Sequence, residues 1–148
     1  KVDDGVLLFN KIRGKEFLPL SNEKLLKKRR NTYVEDDFSH EQNLLLNEGN
    51  KSFLFVGCGH RGIINILNEA ERISRSAIEC FFGGLHLYNY ANKKYEDDNL
   101  IYNISKVLKD KETVFYCCHC TGEDAYNKIK KNLKDKIKLI KVGDCINT

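Results

Sequence analysis

Residues 52–62 read Ser-Phe-Leu-Phe-Val-Gly-Cys-Gly-His-Arg-Gly, a short apolar run that ends in a glycine-rich turn and a histidine. A run this short and this rich in Phe, Leu and Val is typical of a buried strand. The arrangement recurs twice, where residues 78–84 lead to His86 and residues 113–118 lead to His119. Ligands of parallel sheets bind at the carboxyl ends of the strands, and neutral imidazole is the commonest metal ligand. The three repeats therefore predict a metal centre at one edge of a sheet.

Helix-length segments separate these runs. Apolar residues recur at helical spacing in three of them. The three stripes are Ile63, Ile64, Leu67, Ala70 and Ile73; then Leu100, Ile101, Ile104, Val107 and Leu108; then Ala125, Ile129 and Leu133. Each stripe is expected to pack on a sheet with strands near residues 77–82, 113–118 and 137–142. The pattern predicts an α/β fold in which a mixed sheet carries flanking helices.

The first third of the chain offers weaker signals. An apolar run predicts a strand over residues 5–11. Ser21 is a suitable N-cap for a predicted helix over residues 22–30. Two apolar runs, residues 43–46 and 52–56, flank a Gly-containing turn and predict a hairpin. No linker divides the sequence, so a single domain over residues 1–148 is expected.

Composition excludes several classes of protein. The net charge of +4 comes from 25 basic and 21 acidic residues that are interspersed, and no basic stripe with aromatic residues indicates nucleic-acid binding. The one dense basic run, residues 27–30, is expected to lie on a solvated surface. No signal peptide and no apolar stretch long enough to cross a membrane is found, so no membrane partner is expected. The six cysteines are expected to be reduced thiols of a cytoplasmic protein.

Three motifs occur in order along the chain. They are Gly57-Cys58-Gly59-His60-Arg61-Gly62, Gly83-Gly84-Leu85-His86-Leu87 and His119-Cys120-Thr121-Gly122. As a set they resemble the carboxyl-terminal half of a metallo-β-lactamase-fold hydrolase. The branch that they resemble most includes the dihydropterin ribofuranosyl-aminobenzene phosphate synthase-like proteins. The resemblance covers roughly residues 36–143.

The resemblance implies both an architecture and a chemistry. The chain would form the second α/β half of a four-layer αββα sandwich. His60 would belong to the first metal position and His119 to the second, while His86 would be a ligand, a substrate contact or a catalytic proton donor. Two divalent ions, zinc being expected and iron or manganese being alternatives, would activate water to hydrolyse an ester, amide or phosphate bond.

Other candidate residues follow from the pattern itself. Thr121 and Gly122 precede a predicted helix, whose unpaired N–H groups would suit an anionic part of the substrate. Cys58 is interpreted as a small buried residue. A local zinc site within residues 117–120 is not expected, because adjacent strand residues point to opposite faces.

A polar cluster precedes the predicted hairpin. It consists of Asp36, Asp37, His40 and Glu41. The sequence does not decide whether these residues cap the loop or have a catalytic role.

The sequence also departs from the family pattern. It has no His-x-His-x-Asp-His loop, and Gly83-Gly84 offers no bridging aspartate near His86. It begins with Lys1 and contains no Met. We therefore expect the carboxyl-terminal half of a longer protein, which by itself would bind metal weakly and hydrolyse little. Its exposed apolar surface would pair with the missing amino-terminal half or with a second copy.

The expected substrate is a small molecule, and phosphorylated molecules are among the candidates. Three alternatives remain at this level. The chain could be a non-catalytic half-fold interaction module, a condensing enzyme for a phosphorylated pterin, or a nuclease-like member of the superfamily.

Overall fold

The computed structural model describes residues 2–147 and contains one six-stranded sheet, two small two-stranded sheets and three α-helices within that range. The elements in chain order are β1 (Val6–Phe9), β2 (Leu26–Arg29), β3 (Thr32–Glu35), β4 (Asn43–Glu48), β5 (Lys51–Phe55), α1 (Ile63–Ser74), β6 (Cys80–Gly83), β7 (Tyr88–Asn89), β8 (Lys94–Tyr95), α2 (Asp98–Lys109), β9 (Val114–Cys117), α3 (Glu123–Leu133) and β10 (Ile137–Leu139). Short 3-10 helices occupy Leu20–Lys24, His119–Thr121 and Lys134–Lys136.

The large sheet is mixed, as the sequence predicts. Its strand order is β1-β4-β5-β6-β9-β10. The β1–β4 and β4–β5 pairs are antiparallel, and β4 and β5 form the predicted hairpin. The β5–β6, β6–β9 and β9–β10 pairs are parallel. The three strands that precede His60, His86 and His119 are therefore neighbours, and their carboxyl ends meet at one edge.

All three helices pack on the same face of the sheet. The predicted stripes supply buried residues to one core, for example Ile64 of α1, Ile104 of α2 and Ile129 of α3. Alternate residues of the strands, including Phe81 and Phe115, pack against these helix residues from the sheet, as the two-residue period of a strand requires.

The opposite face of the sheet carries no helix of the described residues. A smaller cluster lies there, formed by Phe53, Cys80 and Tyr116 with partly buried neighbours. The rings of Phe55, Phe82 and Tyr116 form a stacked row with centroids 4.8 and 4.9 Å apart. We call this surface the helix-free face. A one-sided arrangement of helices is the one that half of an αββα sandwich has.

The helix predicted over residues 22–30 is wrong. Leu20–Lys24 forms a 3-10 helix, and β2 then pairs with β3 in an antiparallel hairpin. A helix here would have only Leu25 and Leu26 to bury, and Leu26 is 57% exposed in the structure. The β-favouring Thr-Tyr-Val of β3 supplies a pairing partner, so the basic run lies on an exposed strand rather than at a helix end.

A search of the described part of the chain for helices that are both long and apolar enough to cross a membrane finds none.

Candidate metal centre

The turns after β5, β6 and β9 are joined by backbone hydrogen bonds. Val56 N–H donates to Phe82 O and Gly84 N–H to Gly57 O, each at 2.8 Å, and Cys118 N–H donates to Gly83 O at 3.1 Å. These bonds continue the parallel pairing past the strand ends. The three turns are therefore held side by side, with their histidines at the same edge of the sheet.

His60 lies between two other rings. Phe38 stacks on it with centroids 4.4 Å apart and planes 3° from parallel. The His86 ring lies 3.8 Å away, centroid to centroid, on a tilted plane. The structure thus brings two of the three predicted histidines into direct contact, although they are separated by the whole of α1.

The Asn22 side chain fixes which nitrogen of His60 carries the proton. Its Nδ2 donates to the His60 carbonyl oxygen at 2.7 Å, and its Oδ1 lies 3.0 Å from ring Nδ1. A carbonyl oxygen only accepts hydrogen bonds, so the amide nitrogen must face it and Oδ1 must face the ring. Nδ1 therefore donates its proton to Oδ1, which leaves Nε2 unprotonated, with a lone pair that accepts a hydrogen bond or binds a cation.

A buried carboxylate holds Asn22 in this position. Glu96 is only 8% exposed, and its oxygens accept the backbone N–H groups of Leu20 at 3.0 Å and Ser21 at 2.9 Å. These are the first residues of the 3-10 helix that carries Asn22. The chain of contacts from Glu96 to His60 explains why a helix over residues 22–30 would be incompatible with the site.

Replacing Asn22 by alanine is expected to release the tautomer of His60. In the unchanged protein without metal, we expect only the Nδ1-protonated ring in long-range ¹H–¹⁵N spectra; in Asn22→Ala we expect both tautomers. Zinc affinity should fall by about 10–100-fold, the usual effect of losing a group that orients a metal ligand.

Asn68→Ala is the matched control, because Asn68 is exposed on α1, where its Oδ1 accepts a hydrogen bond from Lys111. It should leave the spectrum and the affinity unchanged. An Nε2-protonated His60 in the unchanged protein would contradict the assignment.

Glu41 holds the turn that contains His60. Its Oε1 accepts the N–H groups of Gly59 at 2.8 Å and His60 at 3.0 Å, and its Oε2 accepts that of Arg61 at 3.2 Å. Three successive N–H groups form a concave anion-binding site, which here is filled by a carboxylate of the same chain. Glu41 therefore positions the turn that contains His60.

His86 is buried and has no hydrogen-bond partner within the described residues. It is 7% exposed, and both ring nitrogens are unpartnered. Burial, followed by the nearby His60 ring, lowers the pKa of His86 to about 4, so the ring is neutral at pH 7. Its backbone has φ 48°, a conformation that costs a non-glycine residue free energy and is often found at functional sites.

His119 reaches the same edge from β9. It also has a positive φ, 51°, and it begins the 3-10 helix His119–Thr121. Its ring Nδ1 lies 3.5 Å from the sulfur of Cys58. The Cys58 thiol therefore lies beside the predicted ligand His119.

Cys58 is half-buried at the centre of the site, whereas the sequence suggested only a small buried residue. Hydrogen bonds with Cys120, and then with His60, lower the pKa of Cys58 to about 4. The same contact, together with burial, raises the pKa of Cys120. All six cysteines are free thiols. Nothing in the sequence other than the position of Cys58 two residues before His60 pointed to this contact.

Thr121 and Gly122 are placed differently from the expected anion site. The Thr121 hydroxyl accepts the Leu85 N–H at 3.2 Å and donates to Cys118 O at 2.9 Å, so it joins two turns. Gly122 has φ 73°, and a Cβ there would lie 2.5 Å from the Tyr95 ring. The protein's own groups thus occupy these positions, and an anion-binding role for them stays a prediction.

The other members of the polar cluster stabilise a loop. Asp36 accepts the Phe38 N–H at 2.8 Å, and the hydrogen bond from Lys27 lowers the pKa of Asp37. His40 is 68% exposed and pairs only with Asp36 among the described groups. Of the two roles that the sequence left open, capping of the loop is the one that these contacts support.

A groove of about 420 Å³ opens beside His60. It is bounded by the 3-10 helix of Asn22 and by the loop of Phe38. The size is within the range of small-molecule sites. Four acidic side chains and two basic ones lie along it: Glu23, Glu35, Asp36 and Asp37 with Lys15 and Arg61.

The fold matches that of a metal-dependent hydrolase of the beta-lactamase superfamily, and the α/β class with a mixed sheet and flanking helices is confirmed. The protein in question is Tm1679, whose crystal structure superposes with a TM-score of 0.85 at 25% sequence identity. The match covers 100% of this chain and 55% of Tm1679.

One curated protein also shows sequence similarity. The uncharacterised protein MJ0448 of Methanocaldococcus jannaschii is 29% identical over 98 residues, which are 66% of this chain and 34% of that protein. No family model matches the sequence. The chain thus spans about one third of MJ0448 and about half of Tm1679.

Proposed function

We propose that this chain supplies metal ligands to a metal-dependent hydrolase, with His60 and His119 as ligands and His86 as a further ligand or substrate contact. The observation that carries the proposal is the meeting of three histidine-bearing turns at one sheet edge, in a fold that matches a metal-dependent hydrolase. The alternative to hydrolysis at this centre is a dihydropterin-type synthase activity. Within the described residues, no observation favours a nuclease or a non-catalytic module.

The donor groups fit a divalent cation. His60 presents Nε2 as an unprotonated nitrogen, and His86 has buried nitrogens with no partner among the described residues. Imidazole nitrogens are typical ligands of zinc and iron in enzymes. A divalent ion held here would lower the pKa of a coordinated water and polarise the bond that is attacked.

The residues around the proposed ligands would orient the ligand rings and shield them from solvent. Asn22 and Phe38 fix the His60 ring on two sides, and Glu41 fixes its turn. The groove beside His60 would hold a small substrate. Its excess of carboxylates would repel a phosphate group at that end, so we propose that a neutral or cationic part of the substrate lies there.

Metal analysis of the purified chain tests the proposal. We expect the chain to bind Zn²⁺ saturably and to lose it to a chelator. We also expect the protein isolated from its natural source to hydrolyse simple esters or amides, and the chelator to inhibit this hydrolysis. Weak binding by this chain alone agrees with the small number of imidazole ligands that it contributes. A chain that binds no divalent cation at millimolar concentration would overturn the proposal.

We also propose that the helix-free face packs on a second β-layer. Phe55 is 37% exposed at one end of the aromatic row, and a groove of about 400 Å³ runs beside it. Tm1679 is longer than this chain, which supports a second layer as the occupant. The amino-terminal half of the domain, or a second copy in its place, would provide that layer.

Sedimentation of the purified chain tests this packing. We expect concentration-dependent self-association in the absence of another layer, since Phe55 and Phe82 expose apolar surface. Phe55→Ser should weaken the association by about tenfold or more, as loss of a central aromatic contact does. Tyr102→Ser is the matched control, because Tyr102 is an exposed aromatic residue of α2 on the other side of the sheet. A chain that stays monomeric at all concentrations would refute self-pairing.

A further inference from the structure

Two cysteines and one histidine lie close enough to bind a single ion. The sulfur atoms of Cys58 and Cys120 and a ring nitrogen of His119 all lie within 4.8 Å of one another. The distance from Cys58 Sγ to His119 Nδ1 is 3.5 Å. Ligands at about 2.0–2.3 Å from a tetrahedral zinc ion are separated from each other by similar distances. The group is therefore nearly assembled before any ion binds.

The 3-10 helix at the end of β9 makes this grouping possible. In an extended strand, neighbours such as His119 and Cys120 would point to opposite faces. The positive φ of His119 and the helical turn His119–Thr121 end the strand, so both side chains face Cys58. The objection to a zinc site within residues 117–120 holds for Cys117 and Cys118, but Cys58 supplies the missing ligand from another turn.

Cys120 is held in place by its surroundings. Its thiol donates to the Cys58 carbonyl oxygen at 3.4 Å, and its own carbonyl oxygen accepts the Leu87 N–H at 3.0 Å. Gly84 lies directly behind the sulfur, since a Cβ there would be 2.7 Å from Sγ. The sulfur therefore has little freedom to leave the site. Preorganised ligands lower the entropy lost on binding.

We propose that Cys58 and Cys120 are thiolate ligands beside His119, so that this centre takes a thiophilic divalent ion of the zinc class. Thiolate and imidazole donors select such ions, whereas Mg²⁺ and Mn²⁺ favour oxygen donors, and this group contains no carboxylate. The inference rests on the proposed function, because it names the ligands and the metal class of the same centre.

Cobalt substitution tests the inference in the reduced chain of residues 1–148. Co²⁺ bound by thiolates gives a strong near-ultraviolet charge-transfer band, which Co²⁺ bound only by imidazoles lacks. We expect this band in the unchanged protein and a weaker band in Cys58→Ser and in Cys120→Ser. Zinc affinity should fall at least about tenfold in each variant, the lower end of what even outer-shell changes cost.

Cys118→Ser and Cys145→Ser are the matched controls, since neither residue belongs to the group. Both should keep the band and the affinity. Alkylation of the unchanged protein gives a second measurement that needs no variant: Zn²⁺ should protect the half-buried Cys58 but not the exposed Cys145.

The outcomes separate the two proposals. Binding of Co²⁺ without the band, or with a band that both serine variants retain, would overturn the thiolate ligands and leave the hydrolase proposal intact. Binding of no metal would overturn both.

Discussion

Replacing His60 and His119 together by alanine is expected to abolish metal binding. Each imidazole would contribute directly to the centre, and loss of even a supporting group costs about 10–100-fold in metal affinity. The double variant should therefore bind no measurable Zn²⁺ at concentrations that saturate the unchanged chain. Hydrolysis by the protein as the organism makes it should fall with the metal content, because the bound ion supplies the activated water. Metal content by mass spectrometry and isothermal titration measure the effect.

His40→Ala is the matched control for this experiment. His40 is an exposed histidine of the loop before β4 and does not contact the other three rings. It should keep the metal and the activity. Full metal content in the double variant would contradict the assignment of both ligands. Circular dichroism of each variant shows whether the fold is kept; His119 lies on the surface, and His60 packs between Phe38 and His86.

Removal of the Glu41 carboxylate is expected to have the largest effect on the stability of the turn. Three backbone N–H groups would lose a charged acceptor. Hydrogen bonds to charged groups contribute about 1.5–3 kcal/mol each when buried. Glu41 is only half-buried, and water replaces part of this loss. We therefore expect Glu41→Ala to lower the free energy of unfolding by about 2–3 kcal/mol, measured by urea denaturation.

Two further variants separate the role of the carboxylate from that of a charged residue in general. Glu41→Gln keeps one oxygen that accepts from Gly59 and His60, so its loss should be about 1 kcal/mol. Glu48→Ala removes an exposed carboxylate from the end of β4 and should stay within about 0.5 kcal/mol of the unchanged protein. Equal stability of Glu41→Ala and Glu48→Ala would show that the three hydrogen bonds do not stabilise the turn.

Sequence patterns predicted the order of the elements well wherever a periodic apolar stripe was long. The stripes of α1, α2 and α3 and the runs of β5, β6 and β9 are all present in the structure. The pattern failed over residues 22–30, where only two leucines suggested a helix. A short segment has little intrinsic preference, so its partner decides, and here the partners are β3 and the carboxylate of Glu96.

The candidate site was predictable only in part. The three histidines were found because each follows a local signal, an apolar run and a glycine turn. Asn22 and Cys120 were not identified as parts of the candidate site, because asparagine and cysteine occur throughout the chain and no local pattern distinguishes these two. The ring of His60 meets Asn22 from 38 residues away, and Cys58 meets His119 from 61 residues away.

The sequence by itself thus determined which strands form and which histidines end them, since the alternation of apolar and polar residues is a local property that fixes burial. Only the tertiary structure decided the neighbours of those histidines. Sheet order placed β5, β6 and β9 side by side, so that the turns at their ends bring Cys58 to His119. Segments outside these strands bring Asn22 to the His60 ring and Glu41 to the His60 backbone. Such contacts depend on the packing of distant segments around one core, and no local interaction encodes them.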